Sequence, residues 1–289
     1  MIRILGTVFA ALFGLAFGSF LNVCLSRWPE GESIVHPRSH CRKCDHTLTW
    51  WENVPLVSWL ALRGRCRNCR ASIGCRYPLV ELSVAALWAH CAWTNLILIQ
   101  NMFYLGFFIP QYAEINALHF LGNLLFLWLL VALLFLDAEH LWLPNKLTIP
   151  GILIGFVCRF GDFLLHHISL ATLLLQALGI VAAAALILLI RWLYQLIRHR
   201  EGIGLGDAKL MALLAAWLGL PGALLAFFLG VVLGALIALV MLAIPSARSS
   251  PDGWALKKLP LGTFLCIGGI ISALWGHPII AAYLRWSGL

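Results

Sequence analysis

Residues 202–244 read GIGLGDAKLMALLAAWLGLPGALLAFFLGVVLGALIALVMLAI, and no charged side chain occurs from Leu210 to Ile244. A helix crosses the roughly 30 Å of bilayer hydrocarbon in about 20 residues, so this run is too long for one crossing. Leu220-Pro221-Gly222 interrupts it. Proline removes a backbone donor and glycine permits a turn, which predicts two spans joined by a tight connection. Asp207 stands at the mouth of the run, and Asp137 closes another apolar segment, Leu-Leu-Phe-Leu-Asp at 133–137. The chain has only 12 acidic residues in 289. An ionisable group at a membrane boundary is costly enough to mark a functional candidate.

The rest of the chain fits this setting. It is 62% hydrophobic with a mean hydropathy of +0.91, well beyond a soluble domain. Further apolar segments lie at 4–26, 82–100, 115–136, 147–165, 168–190 and 261–284, the one at 147–165 interrupted by Arg159 and Asp162. The expectation is an all-α polytopic membrane protein of about eight transmembrane helices. The first segment continues into Gly18-Ser19-Phe20-Leu21-Asn22 without a small-residue cleavage pattern, and reads as a retained span. With eight spans, residues 27–76, 137–146, 191–209 and 245–260 share one side and carry 17 of the 20 basic residues. The positive-inside rule puts that side in the cytoplasm and both termini outside. Asp137 and Asp207 then face the same compartment. The net charge of +8 is accounted for by topology, so nucleic acid is not an expected partner.

One polar module, residues 27–78, separates the first helix (1–26) from the membrane-embedded remainder (79–289). It holds Cys41-x-x-Cys44 and Cys66-x-x-Cys69, with 21 residues between them. Two such knuckles supply four thiolates to one tetrahedral metal, which makes structural zinc the leading reading. Disulfide or redox chemistry and two unrelated pairs are the alternatives, the former disfavoured in a reducing cytoplasm. A loop this short has little core, so the metal would act as its staple. Arg63, Arg65, Arg67 and Arg70 around the second knuckle suit anionic headgroups as well as a substrate. Cys24, Cys91, Cys158 and Cys266 read as packing residues, and Cys75 lies outside the metal set. No internal repeat is evident, and residues 246–258 read as a plain cytoplasmic loop.

Peptide hydrolysis by two carboxyls needs one ionised, to take a proton from water, and one protonated, to polarise the carbonyl. Asp137 and Asp207 are the candidate pair, with Gly204 and Gly206 allowing close backbone approach. The bland alternatives remain open. Asp207 could cap a helix after a flexible turn, and Asp137 could pair with Lys146 or His140.

Several stretches together resemble the type IV prepilin peptidases, membrane aspartyl proteases of the GxGD group. They are Gly18-Ser19-Phe20-Leu21-Asn22-Val23, Arg38-Ser39-His40-Cys41-Arg42-Lys43-Cys44 with Leu48-Thr49-Trp50-Trp51-Glu52-Asn53-Val54-Pro55, and Arg63-Gly64-Arg65-Cys66-Arg67-Asn68-Cys69 with Arg76-Tyr77-Pro78-Leu79-Val80-Glu81. Asp137 followed by Leu143-Pro144 is similar to the first catalytic motif, and Gly204-Leu205-Gly206-Asp207-Ala208-Lys209 to the second. The resemblance covers nearly the whole chain. It implies that Asp137 and Asp207 are catalytic, that Gly204, Gly206 and Lys209 support their loop, and that Cys41, Cys44, Cys66 and Cys69 bind zinc. It further implies a bacterial inner-membrane enzyme that cleaves prepilins and type II secretion pseudopilins after the Gly ending a short basic leader. The same enzyme would then N-methylate the new terminus with S-adenosylmethionine. Two departures stand out: Pro144-Asn145 where the family usually has Pro-Asp, and Leu261-Gly262-Thr263-Phe264 where it has Phe-Gly-Pro-Phe.

No soluble cofactor-binding fingerprint accompanies the methylation. The polar module and first helix are the expected wall of that site, with Gly18, Asn22 and Glu81 as its unusual positions, although close helix packing explains them equally well. Two rival classes are a transporter relaying protons through intramembrane carboxylates and a membrane-tethered zinc scaffold. The first leaves the knuckles unused, and the second leaves the glycine-rich Asp motif idle.

Overall fold

A computed structural model describes residues 1–104, 110–166, 169–199, 204–243 and 259–288. The helices are α1 (Ile2–Arg27), α2 (Val57–Ala61), α3 (Arg76–Tyr104), α4 (Pro110–His140), α5 (Asn145–His166), α6 (Leu170–Arg198), α7 (Leu205–Ala243) and α8 (Leu261–Ser287). Among the described residues there is no strand, only two isolated bridges within the polar module. The expected loop at 246–258 and residues Gly202 and Ile203 lie outside the described residues. Among the described residues, five helices are long and apolar enough to cross a membrane: α1, α4, α6, α7 and α8. α3 and α5 occupy the expected segments at 82–100 and 147–165 but fall outside that set.

The chain divides into two compact units, Met1–Ala132 and Leu133–Leu289. In the first, α1 lies along α3 on a stripe of four-residue spacing, Gly14, Gly18 and Asn22. A Cβ on Gly14 would stand 2.7 Å from Ala85 Cα, and one on Gly18 2.7 Å from Glu81 Cα. Only hydrogen at these positions lets the two backbones approach so closely. Asn22 Nδ2 then donates to the Tyr77 carbonyl at 2.9 Å, below the last turn that a side chain could block. The indoles of Trp88 and Trp128 donate to the carbonyls of Leu124 and Phe17, tying α4 to both neighbours.

In the second unit the core is the first half of α7. Every residue from Leu210 to Ala216 is buried, as expected for a helix that is apolar all round. The break in α7 falls at Gly219, one residue ahead of the expected Leu220-Pro221-Gly222. Gly219 adopts φ 72° and ψ 170°, a region open in practice only to glycine, and Pro221 follows inside the first turn of the resumed helix, where its missing N–H costs nothing. The bend is sharp: a Cβ on Gly222 would come within 2.7 Å of Leu218 Cβ, about half the spacing of such neighbours in a continuous helix. Breaking a helix strands carbonyls that lipid cannot satisfy. Gln176 of α6 answers this by donating to the Ala215 and Ala216 carbonyls at 2.8 and 3.1 Å. Ser272 of α8 donates to the Gly222 carbonyl at 2.8 Å on the far side of the break. On the α5 side, the Trp217 indole donates to the Gly151 carbonyl and lies against Gly155.

Candidate active site and metal centre

Asp137 is in the last turn of α4 and Asp207 in the first turn of α7, and both are buried, at 5% and 8% exposure. The two carboxyls lie within electrostatic range of each other. Asp207 is the third residue of α7, and its Oδ2 accepts the backbone N–H of Gly204 at 3.2 Å. This is the reach-back half of a capping box, so the capping role anticipated for Asp207 holds in altered form: the side chain caps from the third helical position. It is compatible with a second role.

Asp137 is held differently. Its Oδ2 accepts the backbone N–H of Thr263 at 2.6 Å and the Thr263 hydroxyl at 3.1 Å, both from the start of α8. Gly262 makes the approach possible, because a Cβ there would lie 2.9 Å from the Asp137 carboxyl carbon. Leu143 fills the space beside both acids: a Cβ on Gly206 would meet its Cβ at 3.1 Å, and one on Gly262 its Cδ1 at 3.0 Å. His140, the partner considered for Asp137, lies instead 3.9 Å from Glu139. Lys209 Nζ donates to Asn145 Oδ1 at 2.6 Å, joining the first turns of α7 and α5.

Gly262 and Thr263 were visible in the sequence only as a departure from a motif. Thr263 brings an N–H and an O–H to Asp137, and a proline at that position has neither. Nothing local announces the contact, since 126 residues separate the partners.

The polar module contains an internal repeat, contrary to the expectation of none. Residues 39–48 and 64–73 fold alike with an offset of 25. Cys41 N–H donates to the His46 carbonyl as Cys66 N–H does to Ala71, Asp45 N–H to Cys41 as Arg70 to Cys66, and Leu48 N–H to Ser39 as Ile73 to Gly64. Asp45 and Arg70 share a left-handed backbone, φ 54° and 57°, and each loop closes on a bridge, His40 to Thr47 and Arg65 to Ser72. Only Cys-Arg-x-Cys is common to the two sequences, too little for a repeat to register without the backbone.

The two loops bring Cys41, Cys44, Cys66 and Cys69 together, with all four Sγ within 4.8 Å of one another. Cys41 and Cys69 are 3.8 Å apart and Cys44 and Cys66 4.0 Å. A tetrahedron with metal–sulfur bonds of about 2.3 Å has edges of about 3.8 Å, so the four thiols could hold a metal ion of that kind. Their electrostatics agree. Backbone N–H groups of Cys69 and Asn68 pull the Cys66 thiol down to about 6, and the N–H of His46 lowers Cys44. Cys69 is pushed up to about 11 against the Ala71 N–H, by burial and by its hydrogen bonds to the other three thiols. A cation between them would let all four act as thiolates together. Cys75 is exposed and outside the cluster, while Cys24, Cys91 and Cys266 are buried among apolar residues.

The module is fastened above and below. Glu52 Oε2 accepts the backbone N–H and hydroxyl of Thr49 at 2.8 and 2.6 Å and meets His46 at 3.3 Å, with Thr49 capping the short 3₁₀ turn Trp50–Asn53. Glu81 Oε2, on α3, accepts the Leu56 N–H at 2.8 Å. Gly18, Asn22 and Glu81 therefore do serve helix packing, as their plainer reading holds, and Glu81 also reaches the module.

Comparison with known proteins matches residues 12–95 to the bacterial peptidase A24 N-terminal domain and residues 124–239 to the type IV leader peptidase family. A prepilin leader peptidase/N-methyltransferase of Pseudomonas aeruginosa is 35% identical over 301 residues, covering 96% of this chain and 93% of that protein. The enzyme of the same name from Stutzerimonas stutzeri is 34% identical over 304 residues, 97% and 94% of the two chains. That of Aeromonas hydrophila is 34% identical over 298 residues, 94% and 92%. No solved structure matches.

Proposed function

The chain belongs to the type IV leader peptidase family, and on that premise we propose that it removes the short basic leader of prepilins and pseudopilins and then N-methylates the exposed residue. The observation that carries the peptidase half is the pair Asp137 and Asp207, two buried carboxyls at helix ends within electrostatic range of each other. Two such groups share a proton because both cannot ionise cheaply. Asp137 receives two donors from Thr263 and Asp207 one from Gly204, and hydrogen bonds to a carboxylate favour its charged form. Asp137 is thus the base that takes a proton from the attacking water, and Asp207 carries the shared proton toward the scissile carbonyl. Gly204 leaves room for a substrate backbone beside Asp207, while Gly206 admits the Leu143 side chain. The tetrahedral intermediate collapses by breaking the C–N bond, and the leaving amine takes a proton from the pair.

Zinc on Cys41, Cys44, Cys66 and Cys69 would hold the module's two loops together and take no part in hydrolysis. S-adenosylmethionine supplies an electrophilic methyl group for the freed amine. The eight-span topology, with 27–78 and both acids on the cytoplasmic side of a bacterial inner membrane and the termini periplasmic, is part of this reading. So is the division into a first helix, a zinc module and a membrane peptidase domain from residue 79.

The test is cleavage of a synthetic prepilin leader substrate by purified wild type, Asp137→Asn, Asp207→Asn and the double variant. Each single variant is expected to lose at least about 10³-fold in kcat, and the double variant to lose no more, because the acids act as one unit. Substantial residual cleavage by Asp207→Asn refutes the assignment. The same Asp variants, given a precleaved pilin, are expected to retain methyl transfer.

A further inference from the structure

Two glycines on different helices, Gly206 of α7 and Gly262 of α8, make room for one side chain, that of Leu143. A Cβ on Gly206 would stand 3.1 Å from both Cβ and Cδ1 of Leu143, and one on Gly262 3.0 Å from the same Cδ1. Gly206 immediately precedes Asp207, and the same point on Gly262 is 2.9 Å from the carboxyl carbon of Asp137. The isobutyl group of Leu143 therefore stands against the backbone at Asp207 and beside the carboxyl of Asp137. The hydrolysis described above asks for no apolar group there. Its backbone has little freedom to withdraw. Leu143 lies in the link between α4 and α5, and a residue ahead of a proline is confined to extended conformations. That proline, Pro144, is fixed to the start of α5, its carbonyl accepting the Leu147 and Thr148 N–H groups and the Thr148 hydroxyl at 3.1, 3.1 and 3.2 Å. At the other end of the link the Leu141 N–H donates to the Asp137 carbonyl at 2.9 Å.

A carboxyl pair acts on a carbonyl carbon held between its oxygens, and the α-carbon of that residue is one bond away. Any side chain on this α-carbon shares the immediate surroundings of both carboxyls, where Leu143 already stands. Gly204, by contrast, is exposed, and a Cβ there would meet nothing nearer than Asp207 Oδ2 at 3.6 Å, so a bare backbone can approach from that side. We propose that Leu143 is the specificity-determining residue that confines the position before the cleaved bond to glycine. The proposal rests on the peptidase half of the reading above, in which the leader ends in Gly. A well-packed site resists even one added methyl group, and a single carbon in an apolar pocket discriminates by at least about tenfold. Asp137 and Asp207 serve glycine and alanine substrates alike, so the ratio between the two separates fit from chemistry.

The experiment measures kcat/KM of the full-length protein in detergent on synthetic leader peptides that vary at two positions, Gly or Ala before the cleaved bond and Phe or Ala after it. Wild type is expected to prefer Gly over Ala by at least about tenfold. Leu143→Ala is expected to narrow that preference about tenfold, Leu143→Val to narrow it less, and Leu143→Met to keep it. Protection of 205–243 from limited proteolysis confirms that the variants are folded. An equal fall on the Gly and Ala peptides, with the ratio of wild type, shows that Leu143 only supports the acids and overturns the proposal. So does a changed preference that follows the residue after the bond, which puts Leu143 on the other side of the reacting carbon. If Leu143→Ala cleaves neither peptide, Leu143→Val decides, and an unchanged ratio there overturns the proposal as well. A wild type that cuts Gly and Ala leaders alike removes this inference and leaves the peptidase reading standing. One that cuts no leader removes the peptidase reading itself.

Discussion

The four cysteines of the knuckle module come from residues 41–69 and meet through two copies of one local loop, whereas the contacts around the two acids join residues as far apart as 137 and 263. In the module each turn is closed by its own backbone bonds, and the side chains that matter announce themselves by spacing. At the acids, Asp137 and Asp207 sit on different helices, and their positions depend on Leu143, Gly206, Gly262 and Thr263 packing together. A site of the first kind fails when its staple is lost. The second kind fails when helix packing shifts by a fraction of an ångström.

The largest effect that distinguishes them is expected from Cys66→Ser. An incomplete tetrahedron forfeits metal binding, on the order of 10 kcal/mol of folding free energy in small zinc modules. Metal content should fall well below one per chain and limited proteolysis should cut within 27–78, while 205–243 stays protected. A module that remains protease-resistant without metal would remove the contrast. Next is Gly262→Ala, whose new methyl lands 2.9 Å from the Asp137 carboxyl. Relieving that clash by moving the carboxyl up to about 1 Å would cost on the order of 10²-fold, so leader cleavage should drop by about that factor with metal content unchanged.

Smaller changes sharpen the picture of Asp137. Thr263→Val removes the hydroxyl donor and keeps the backbone N–H, and is expected to lower kcat about tenfold, with Thr263→Ser restoring most of it. A Thr263→Val enzyme as active as wild type would show that the hydroxyl is not needed to hold the carboxylate. Smallest of all is Asn145→Asp, which turns the Lys209 contact from a neutral acceptor into an exposed ion pair worth about 1 kcal/mol or less. Cleavage should stay within about twofold.

The same contrast governs what could be read in advance. Helix positions followed from apolar runs, and the four-cysteine cluster from Cys-x-x-Cys spacing, because both signals are written in neighbouring residues. Asp137 and Asp207 were legible as carboxyls in an acid-poor membrane chain. Thr263 was not, since its value lies in an N–H and an O–H that meet their acceptor only once α8 packs beside the end of α4. The break in α7 was placed one residue late for a related reason. Proline is the conspicuous disruptor in sequence, but the backbone angle that turns the chain is one that Gly219 can adopt and Leu220 cannot. The knuckle repeat escaped notice because its likeness is carried by backbone hydrogen bonds and by two left-handed residues, Asp45 and Arg70, that share no side-chain chemistry.

The bend at Gly219 also settles a question of depth. From Leu205 to Leu218 the rod is about 21 Å long at 1.5 Å per residue, roughly 9 Å less than the hydrocarbon of an average bilayer. A lipid-facing helix of that length would force the membrane to thin around it. This one is wrapped by protein from Leu210 to Ala216, and its severed end is satisfied by Gln176 and not by headgroups. The level at which Asp207 sits is therefore set by packing against neighbouring helices. Leader cleavage is accordingly expected to change little between bilayers of short and long acyl chains.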